Sequence, residues 1–247
     1  MTHLLALSVL TLRVIMFFEC KLSNRDLLVL NSLIFGFELE ESEVVGLDAS
    51  LLKLNDFGLC DGEQLSPLGV RVKEFFESSP QTLTVRSVQN NDVKLFRLDY
   101  SSDMGFVQSP LTPTEFVVSF GTLGHGVQRL AKYLFPVPSS ACAEDAIEVP
   151  GSFLDAIRSF DSEFLQTYLN SVYGNTDDDS TEPHGWRLDL LAIQDAGGAF
   201  ASSAGLLSLL TSGNCVRLLT VDDKGTGRFL NTDGIGVWLN VTSLLFG

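Results

Sequence analysis

The first part of the chain alternates between helix-like and strand-like spacing of its apolar residues. Apolar positions three and four apart, a capping residue at Ser23 or Asn24 and a terminating Gly36 predict a helix over 22–36. Two shorter helices are predicted over 49–57 and from Pro67 onward. The strand-like runs are TLTVRSV (82–88), DVKLFRLDY (92–100) and GFVQS (105–109). Because only short polar segments separate these runs, we predict an antiparallel meander.

The middle of the chain favours helices. Residues 112–135 predict one helix with a weak point at Gly121–Gly126, and residues 151–174 keep helical spacing of their apolar side chains. A loop containing three prolines, PVPSSACAEDAIEVP, separates the two. After the acidic segment NTDDDSTEPHG, the run WRLDLLAIQDAGGAFASSAGLLSLLTSG predicts one or two further helices.

The stretch VDDKGTGRFLNTDGIGVWLN (221–240) could form a phosphate-binding loop or two hairpin turns. A phosphate loop needs a helix directly after its glycines. The residues that follow Gly227 and Gly234 instead favour strands, and the Asp, Asn and Gly residues before them favour turns. We therefore predict strands over 214–221, 226–231 and 235–241, joined by hairpins.

The two halves of the chain follow a similar order. Each half has helices followed by a three-strand meander, and TVRSVQNNDVKLFRLDYSSDMGFVQ corresponds strand by strand to CVRLLTVDDKGTGRFLNTDGIGVWLN. The predicted fold class is therefore α+β, with a central antiparallel sheet of about six strands built from two duplicated meanders and flanked by helices. We expect a single domain over 16–247, with quasi-repeats at about 16–135 and 150–247.

The N-terminal segment resembles a signal peptide only superficially. The apolar run from Leu4 to Leu12 has no Lys or Arg before it, and Arg13 interrupts the apolar sequence. There is no small-residue cleavage site, and the run is shorter than the ~20 residues that span a bilayer. We expect a cytoplasmic chain in which residues 1–15 are an upstream extension and translation begins near Met16, or in which they add a short strand or helix.

Composition and charge exclude several classes of partner. The chain has 16 Lys and Arg against 31 Asp and Glu, so its net charge of −15 would repel nucleic acid. The four cysteines lie far apart in the sequence and predict reduced thiols in a cytosolic core. Three scattered histidines are too few for a zinc cluster.

Candidate chemistry is sparse. The segment Gly121–Gly126 with His125 could wrap a phosphate or supply a base, although a glycine kink within a helix is the simpler interpretation. The run Asp177–Asp179 with Glu182 lacks the alternation and central Gly of a calcium loop. No catalytic residue, cofactor or metal site is therefore predicted. The alternatives are a nucleotide-binding or enzymatic α+β protein that uses Gly121–Gly126, and a structural dimer formed through sheet edges.

The order of several segments resembles the EspG family, the cytosolic chaperones of actinobacterial type VII (ESX) secretion. The similar segments are FFECKLSNRDLLVLNSLI as an opening strand and helix, LNDFGLCDGEQLSPLGVRVKEFFESSPQTLTVRSV, LTPTEFVVSFGTLGHGVQRLAKYLFPVPSSACAEDAIEVPGSFLDA and DDKGTGRFLNTDGIGVWLNVT. The resemblance covers nearly the whole chain from Met16, and it rests on the order and spacing of the segments because each motif is loose.

The resemblance implies a non-catalytic protein that needs no cofactor and does not insert into membranes. Its partner would be a secreted helical protein, a PE/PPE-like heterodimer or a related ESX substrate. Two candidate partner-binding regions follow. One is the junction of the sheet with the C-terminal helices, at Phe200, Leu206, Leu207 and Leu210, although core packing is the alternative role for these four residues. The other is the turn formed by Gln89, Asn90, Asn91 and Asp92, which is shorter than the partner-contacting loop of the family.

Overall fold

The computed structural model describes residues 18–40, 43, 45–89, 92–135, 146–173, 185–194, 206–212 and 215–246. In chain order the elements are β1 (Phe18–Ser23), α1 (Asn24–Phe35), α2 (Leu47–Asp56), β2 (Cys60–Asp61), β3 (Gln64–Leu65), α3 (Pro67–Glu77), β4 (Gln81–Gln89), β5 (Asp92–Tyr100), β6 (Met104–Pro110), β7 (Glu115–Thr122), α4 (Leu123–Leu134), β8 (Ile147–Val149), α5 (Gly151–Ser159), α6 (Ser162–Tyr173), β9 (Trp186–Gln194), β10 (Leu206–Ser212), β11 (Cys215–Val221), β12 (Gly227–Thr232) and α7 (Gly234–Phe246).

Ten of the strands form one antiparallel sheet in the order β1-β7-β6-β5-β4-β9-β10-β11-β12-β8. The α+β class is confirmed, but the prediction of about six strands is too low. Each half of the sheet has one outer strand and a four-strand meander that ends in a helix, and β4 pairs with β9 where the halves meet. The sequence correspondence matched β4 with β11. By its position in the sheet β4 corresponds to β9, so the predicted correspondence is shifted by two strands.

The helices predicted over 186–213 are wrong where the structure describes this run, because 186–194 and 206–212 form β9 and β10 at the centre of the sheet. Residues 195–205 of this prediction lie outside the described residues. Leu188 and Leu190 of β9 pack under α5 and α6, whereas Leu191 packs under α4 and α7. A strand that is buried on both faces has an almost continuous apolar run, which periodicity alone cannot distinguish from a buried helix.

The single helix predicted over 112–135 is a strand followed by a helix. Glu115–Thr122 forms β7, and α4 begins at Leu123. The side chain of Thr122 accepts a hydrogen bond from the His125 amide and caps the helix. The predicted helix of residues 151–174 is likewise divided into α5 and α6 at Phe160, which has a φ of 54°.

The strand predicted over 235–241 is also wrong, because Gly234–Phe246 forms α7. Asp233 Oδ1 accepts a hydrogen bond from the Gly236 amide at 2.7 Å, so NTDG begins a helix and is not a hairpin turn. Packing of Val237, Val241 and Leu245 against the sheet overrides the strand propensity of the residues. The preceding hairpin is confirmed, because β11 and β12 pair around a turn in which Asp222 Oδ1 accepts the amides of Lys224 and Thr226.

The helices predicted in the first part are confirmed. Ser23 and Asp26 form a reciprocal capping box at the start of α1, and Gly36 ends the helix with a φ of 72°. The helix α2 ends at Asp56, and α3 begins with Ser66 as its cap and Pro67 in its first turn. The meander of β4, β5 and β6 is also present.

The sheet has two faces that are covered by different helices. On the front face, α1, α2 and α3 pack over β1, β6 and β7, while α5 and α6 pack over β9 to β12. On the back face, α4 and α7 pack over the central strands. Successive side chains of a strand alternate between the two faces. On β5, Phe96 and Leu98 therefore face the back, whereas Val93, Leu95 and Arg97 face the front.

The cysteine prediction is correct for two residues and wrong for a third. Cys20 and Cys60 are buried free thiols, and burial raises the pKa of the first to about 12 and of the second to about 11. Cys215, by contrast, is disulfide-bonded. Spacing in the sequence does not reveal which distant thiols the fold brings within bridging distance.

Candidate functional site

A groove crosses the middle of the front face, where the helices leave part of the sheet uncovered. Val93 and Leu95 of β5 are 43% and 45% exposed, although β5 has three strands on one side and six on the other. On the same strand, Phe96 and Leu98 are completely buried under α4. The front face of β5 is thus an apolar surface without a cover among the described residues. We call this region the central groove.

The central groove has one wall made by a helix and a floor made by strands. Its volume is about 360 Å³. The residues that line it come from α1, from β5, from the ends of β6 and β7 and from the segment between those ends: Asn24, Leu27, Leu28, Asn31, Val93, Lys94, Leu95, Arg97, Gln108, Pro110, Thr112, Pro113 and Phe116. Aspartate and glutamate do not contribute to this lining, although the chain as a whole is strongly acidic.

Arg97 places a fixed cation on the groove floor. Its Nε donates to Asp99 Oδ2 at 2.8 Å and its Nη2 donates to Asp99 Oδ1 at 2.8 Å. The Asp99 side chain is 1% exposed, whereas the Arg97 side chain is 42% exposed. The buried carboxylate therefore holds the guanidinium in one orientation. The side of the guanidinium that faces away from Asp99 remains available for hydrogen bonds.

A second arginine lies beside Leu95 on the side away from α1. Arg86 of β4 is directly opposite Leu95 in the strand register, so both side chains project from the front face. The Arg86 guanidinium lies 4.4 Å from the centre of the Phe160 ring, at the junction of α5 and α6. Burial lowers the pKa of Arg86. This contact joins α5 and α6 to the centre of the sheet beside the groove.

The structure places one predicted partner-binding region beside the groove. Gln89 is exposed at the end of β4 and is paired with Asp92 of β5, next to Val93. The Asp92 carboxylate forms a salt bridge with Lys94 at 3.4 Å. Asn90 and Asn91 lie outside the described residues. Gln89 and Asp92 are therefore close enough to contact a molecule bound over Val93.

Of the other four predicted residues, the structure describes the side chains of Leu207 and Leu210, and these lie on opposite faces of the sheet. Phe200 and the side chain of Leu206 lie outside the described residues. Leu207 is partly buried against the back-face core, and Leu210 is 1% exposed in the front-face core under α5 and α6. Leu207 and Leu210 point to opposite faces because they belong to the strand β10, and not to the predicted helix.

The segment Gly121–Gly126 is a strand end and a helix start, not a kink within a helix. Gly121 pairs with Gly105 in the sheet, and Gly126 lies in the first turns of α4. A Cβ on Gly126 would lie 2.7 Å from Leu98 Cδ1, so this glycine allows close packing of α4 on the back face. All of residues 121–126 belong to regular elements, and they do not form a loop that could wrap a phosphate.

His125 forms a hydrogen bond within α4. Its Nε2 accepts a hydrogen bond from Arg129 Nε at 3.4 Å, and Arg129 in turn forms a salt bridge with Glu19. Burial and the nearby Lys132 lower the pKa of His125. Among the described residues there is no group of three or more His, Cys, Asp or Glu side chains that could hold a metal ion. Within those same ranges, no helix has the length and apolar character needed to cross a membrane.

The groove residues were missed because the sequence pattern was used only to assign strands. The run DVKLFRLDY has apolar residues at 93 and 95 as well as at 96 and 98, so both faces of this strand are apolar. Such a pattern predicts that both faces are covered, either by the chain itself or by another molecule. The signal was present, but only the helix positions reveal which face remains open.

The fold is similar to that of a solved structure over nearly its whole length. It is the structure of the Mycobacterium tuberculosis type VII secretion system chaperone EspG5 in complex with the PE25–PPE41 dimer. The similarity has a TM-score of 0.53 at 10% sequence identity and covers 92% of this chain and 96% of the matched chain. At this identity the match shows an EspG-like fold.

No protein-family model matches the chain, and no curated protein sequence matches it.

Proposed function

We propose that this chain is a cytoplasmic, non-catalytic chaperone of type VII (ESX) secretion. Its client is a helical secreted protein, a PE/PPE-type heterodimer or a related substrate, whose apolar end binds in the central groove. The EspG-like fold supports the class of function. The observation that carries the proposal is the exposure of Val93 and Leu95 at the centre of a ten-strand sheet.

The groove has the properties that such a client requires. Burial of a large apolar side chain contributes about 1.5–3 kcal/mol, so contacts with Val93, Leu95 and Leu28 would supply affinity. The asparagines of α1 and Gln108 provide hydrogen-bonding groups along the same groove. The client would be kept soluble because its exposed apolar end is covered until export.

Arg97 would fix the orientation of the client. Asp99 accepts from its Nε and Nη2, and Nη1 has no hydrogen-bond partner among the described residues. A free guanidinium donor on an apolar floor suits carbonyl groups that lack partners, such as those at the end of a helix or in the turn of a helical hairpin. The β4–β5 turn from Gln89 to Asp92 would contact the same client at the edge of the groove.

The first prediction is that a charge in the groove prevents client capture. Leu95→Asp places a carboxylate where the client buries apolar surface, and we expect at least a tenfold loss of client. The measurement is affinity purification of the tagged chain from its native host, followed by mass spectrometry. The wild-type chain should capture a secreted helical protein of the PE, PPE or related ESX class.

The matched control is Leu230→Asp. Leu230 is also a strand leucine with similar exposure, 41% against 45%, but it projects from the back face. It should retain the client at the wild-type level, and both variants should melt close to the wild-type temperature. A folded Leu95→Asp variant that captures the client as well as wild type would exclude the central groove as the binding site.

A further inference from the structure

The helix α7 has an apolar stripe on its outer surface. Ile235, Leu239 and Phe246 are 72%, 64% and 61% exposed, whereas Val237 and Val241 are completely buried against the sheet. The thirteen residues of α7 include no charged side chain, in a chain whose net charge is −15. This helix is therefore apolar on both its inner and its outer surface.

The polar residues near the stripe do not require an outside partner. Asn240 Nδ2 donates to the Gly236 carbonyl oxygen at 2.8 Å, and Thr242 Oγ1 donates to the Trp238 carbonyl oxygen at 2.9 Å. Both side chains therefore bond back to their own helix. Ile235, Leu239, Thr242 and Phe246 recur every three or four residues and form one continuous stripe.

The helix α4 shows that a helix on the back face does not need an apolar outer surface. Like α7, it follows the last strand of a four-strand meander and packs on the back face. Its exposed residues are Gly124, Gln128 and Lys132. The stripe on α7 is thus a property of that helix, and an exposed stripe of this kind is typical of an interaction surface.

We propose that the stripe binds the same stripe of a second copy of this chain, with the two α7 helices antiparallel. The stripe is self-complementary about an axis between Asn240 and Val241. A twofold axis at that point places Ile235 against the partner's Phe246 and Leu239 against the partner's Thr242. An interface between identical subunits requires this reciprocity.

Charge favours α7 over the rest of the surface for this contact. Two copies with a net charge of −15 repel each other, and the uncharged α7 is a place where they approach with the least repulsion. A helix of thirteen residues is about 20 Å long, so the contact is smaller than the ~800 Å² per partner of a standard interface. The dimer is therefore weak, depends on concentration, and is strengthened by salt that screens the repulsion.

The second prediction concerns this dimer and is tested by sedimentation velocity of the full chain over a concentration series at low and high salt. The average mass should rise with concentration towards that of a dimer, and at a lower concentration when the salt is high. Leu239→Asp should remain monomeric because it places two carboxylates near the axis. Gln128→Asp, which makes the same charge change on the outer surface of α4, should dimerise like the wild type.

A mixture of two variants tests the helix pairing directly. Leu239→Asp and Thr242→Lys should each associate poorly alone, whereas their mixture should form a heterodimer because residue 239 contacts the partner's residue 242. A chain that stays monomeric under all conditions overturns the proposal. A dimer that Leu239→Asp leaves intact also overturns it, since the contact would then involve another surface, such as a sheet edge.

Discussion

Gly69 and Gly124 both lie in the first turn of a helix, but their surroundings differ. A Cβ on Gly69 would lie 2.2 Å from the carbonyl oxygen of Leu59, which is part of the backbone and cannot move aside easily. A Cβ on Gly124 would meet no atom within 4 Å. The same residue type is thus required for packing at one position and is replaceable at the other.

The third prediction contrasts these two glycines. Gly69→Ala should lower the free energy of unfolding by about 1–3 kcal/mol because α3 must move away from the β2–β3 region. Gly124→Ala should raise it by up to about 1 kcal/mol, since alanine favours the helix and fits without a clash. Urea denaturation measures both changes, and equal effects of the two substitutions would contradict the packing of α3 described above.

At the scale of elements, Asp26 joins β1, α1 and α2. Its carboxylate accepts hydrogen bonds from the Ser23 amide, from Ser50 at 2.8 Å and from Lys53 at 2.6 Å. Burial alone would raise the pKa of Asp26, but the hydrogen bonds from Lys53, Ser23 and Ser50 together hold it below the ordinary value of 3.8. The ionised carboxylate therefore stabilises the junction that positions the wall of the central groove.

The fourth prediction is a pH-dependent loss of stability in Asp26→Asn. A carboxyl whose pKa is lowered by folding adds stability above its ordinary pKa, and this stability is lost as the pH falls through the lower folded value. Asp26→Asn should therefore lower the free energy of unfolding by about 1–3 kcal/mol at neutral pH. The difference from wild type should shrink as the pH falls below 3.8. Urea denaturation at several pH values measures it.

The control for Asp26 is Asp61→Asn, at an exposed position of β2. It should change the free energy of unfolding by less than about 0.5 kcal/mol at any pH. If the destabilisation by Asp26→Asn were the same at neutral and acid pH, ionisation of Asp26 would not contribute to the stability of the junction.

Elements with strong local signals were predictable from the sequence, and those defined by packing were not. The helix α1 has a cap, an apolar stripe and a terminating glycine within fourteen residues, from Ser23 to Gly36. By contrast, β9 and α7 are both rich in apolar residues without clear periodicity. Which of them becomes a strand depends on the neighbours that the fold supplies, because local propensity differences are small.

At the scale of the whole molecule, the two halves meet at a polar contact on the back face. Ser87 of β4 lies opposite Asp189 of β9 and donates a hydrogen bond to it. Arg187 Nε donates to Asp189 at 2.8 Å, and its guanidinium lies over the Tyr133 ring. Burial raises the pKa of Asp189 against the opposing effect of Arg187. A polar cluster of this kind favours one register of the central strand pair.

The class of fold could be predicted from the sequence, whereas the site could not. Helices and antiparallel strands are local patterns, so α+β followed directly from them. The central groove depends on where α1 and α5 stop covering the sheet, and that follows from the order of all ten strands. Val93 and Leu95 are ordinary strand residues in the sequence. Only their place between the helices α1 to α3 and the helices α5 and α6 makes them candidates for binding.

The fifth prediction is that the client binds over the middle of the front face. A photo-reactive benzoylphenylalanine at position 95 is irradiated in cells of the native host, and the same residue at position 230 is the control. We expect a crosslink from position 95 to a secreted helical protein and none from position 230. A crosslink to that client from position 230 with none from position 95, in folded protein, would contradict it.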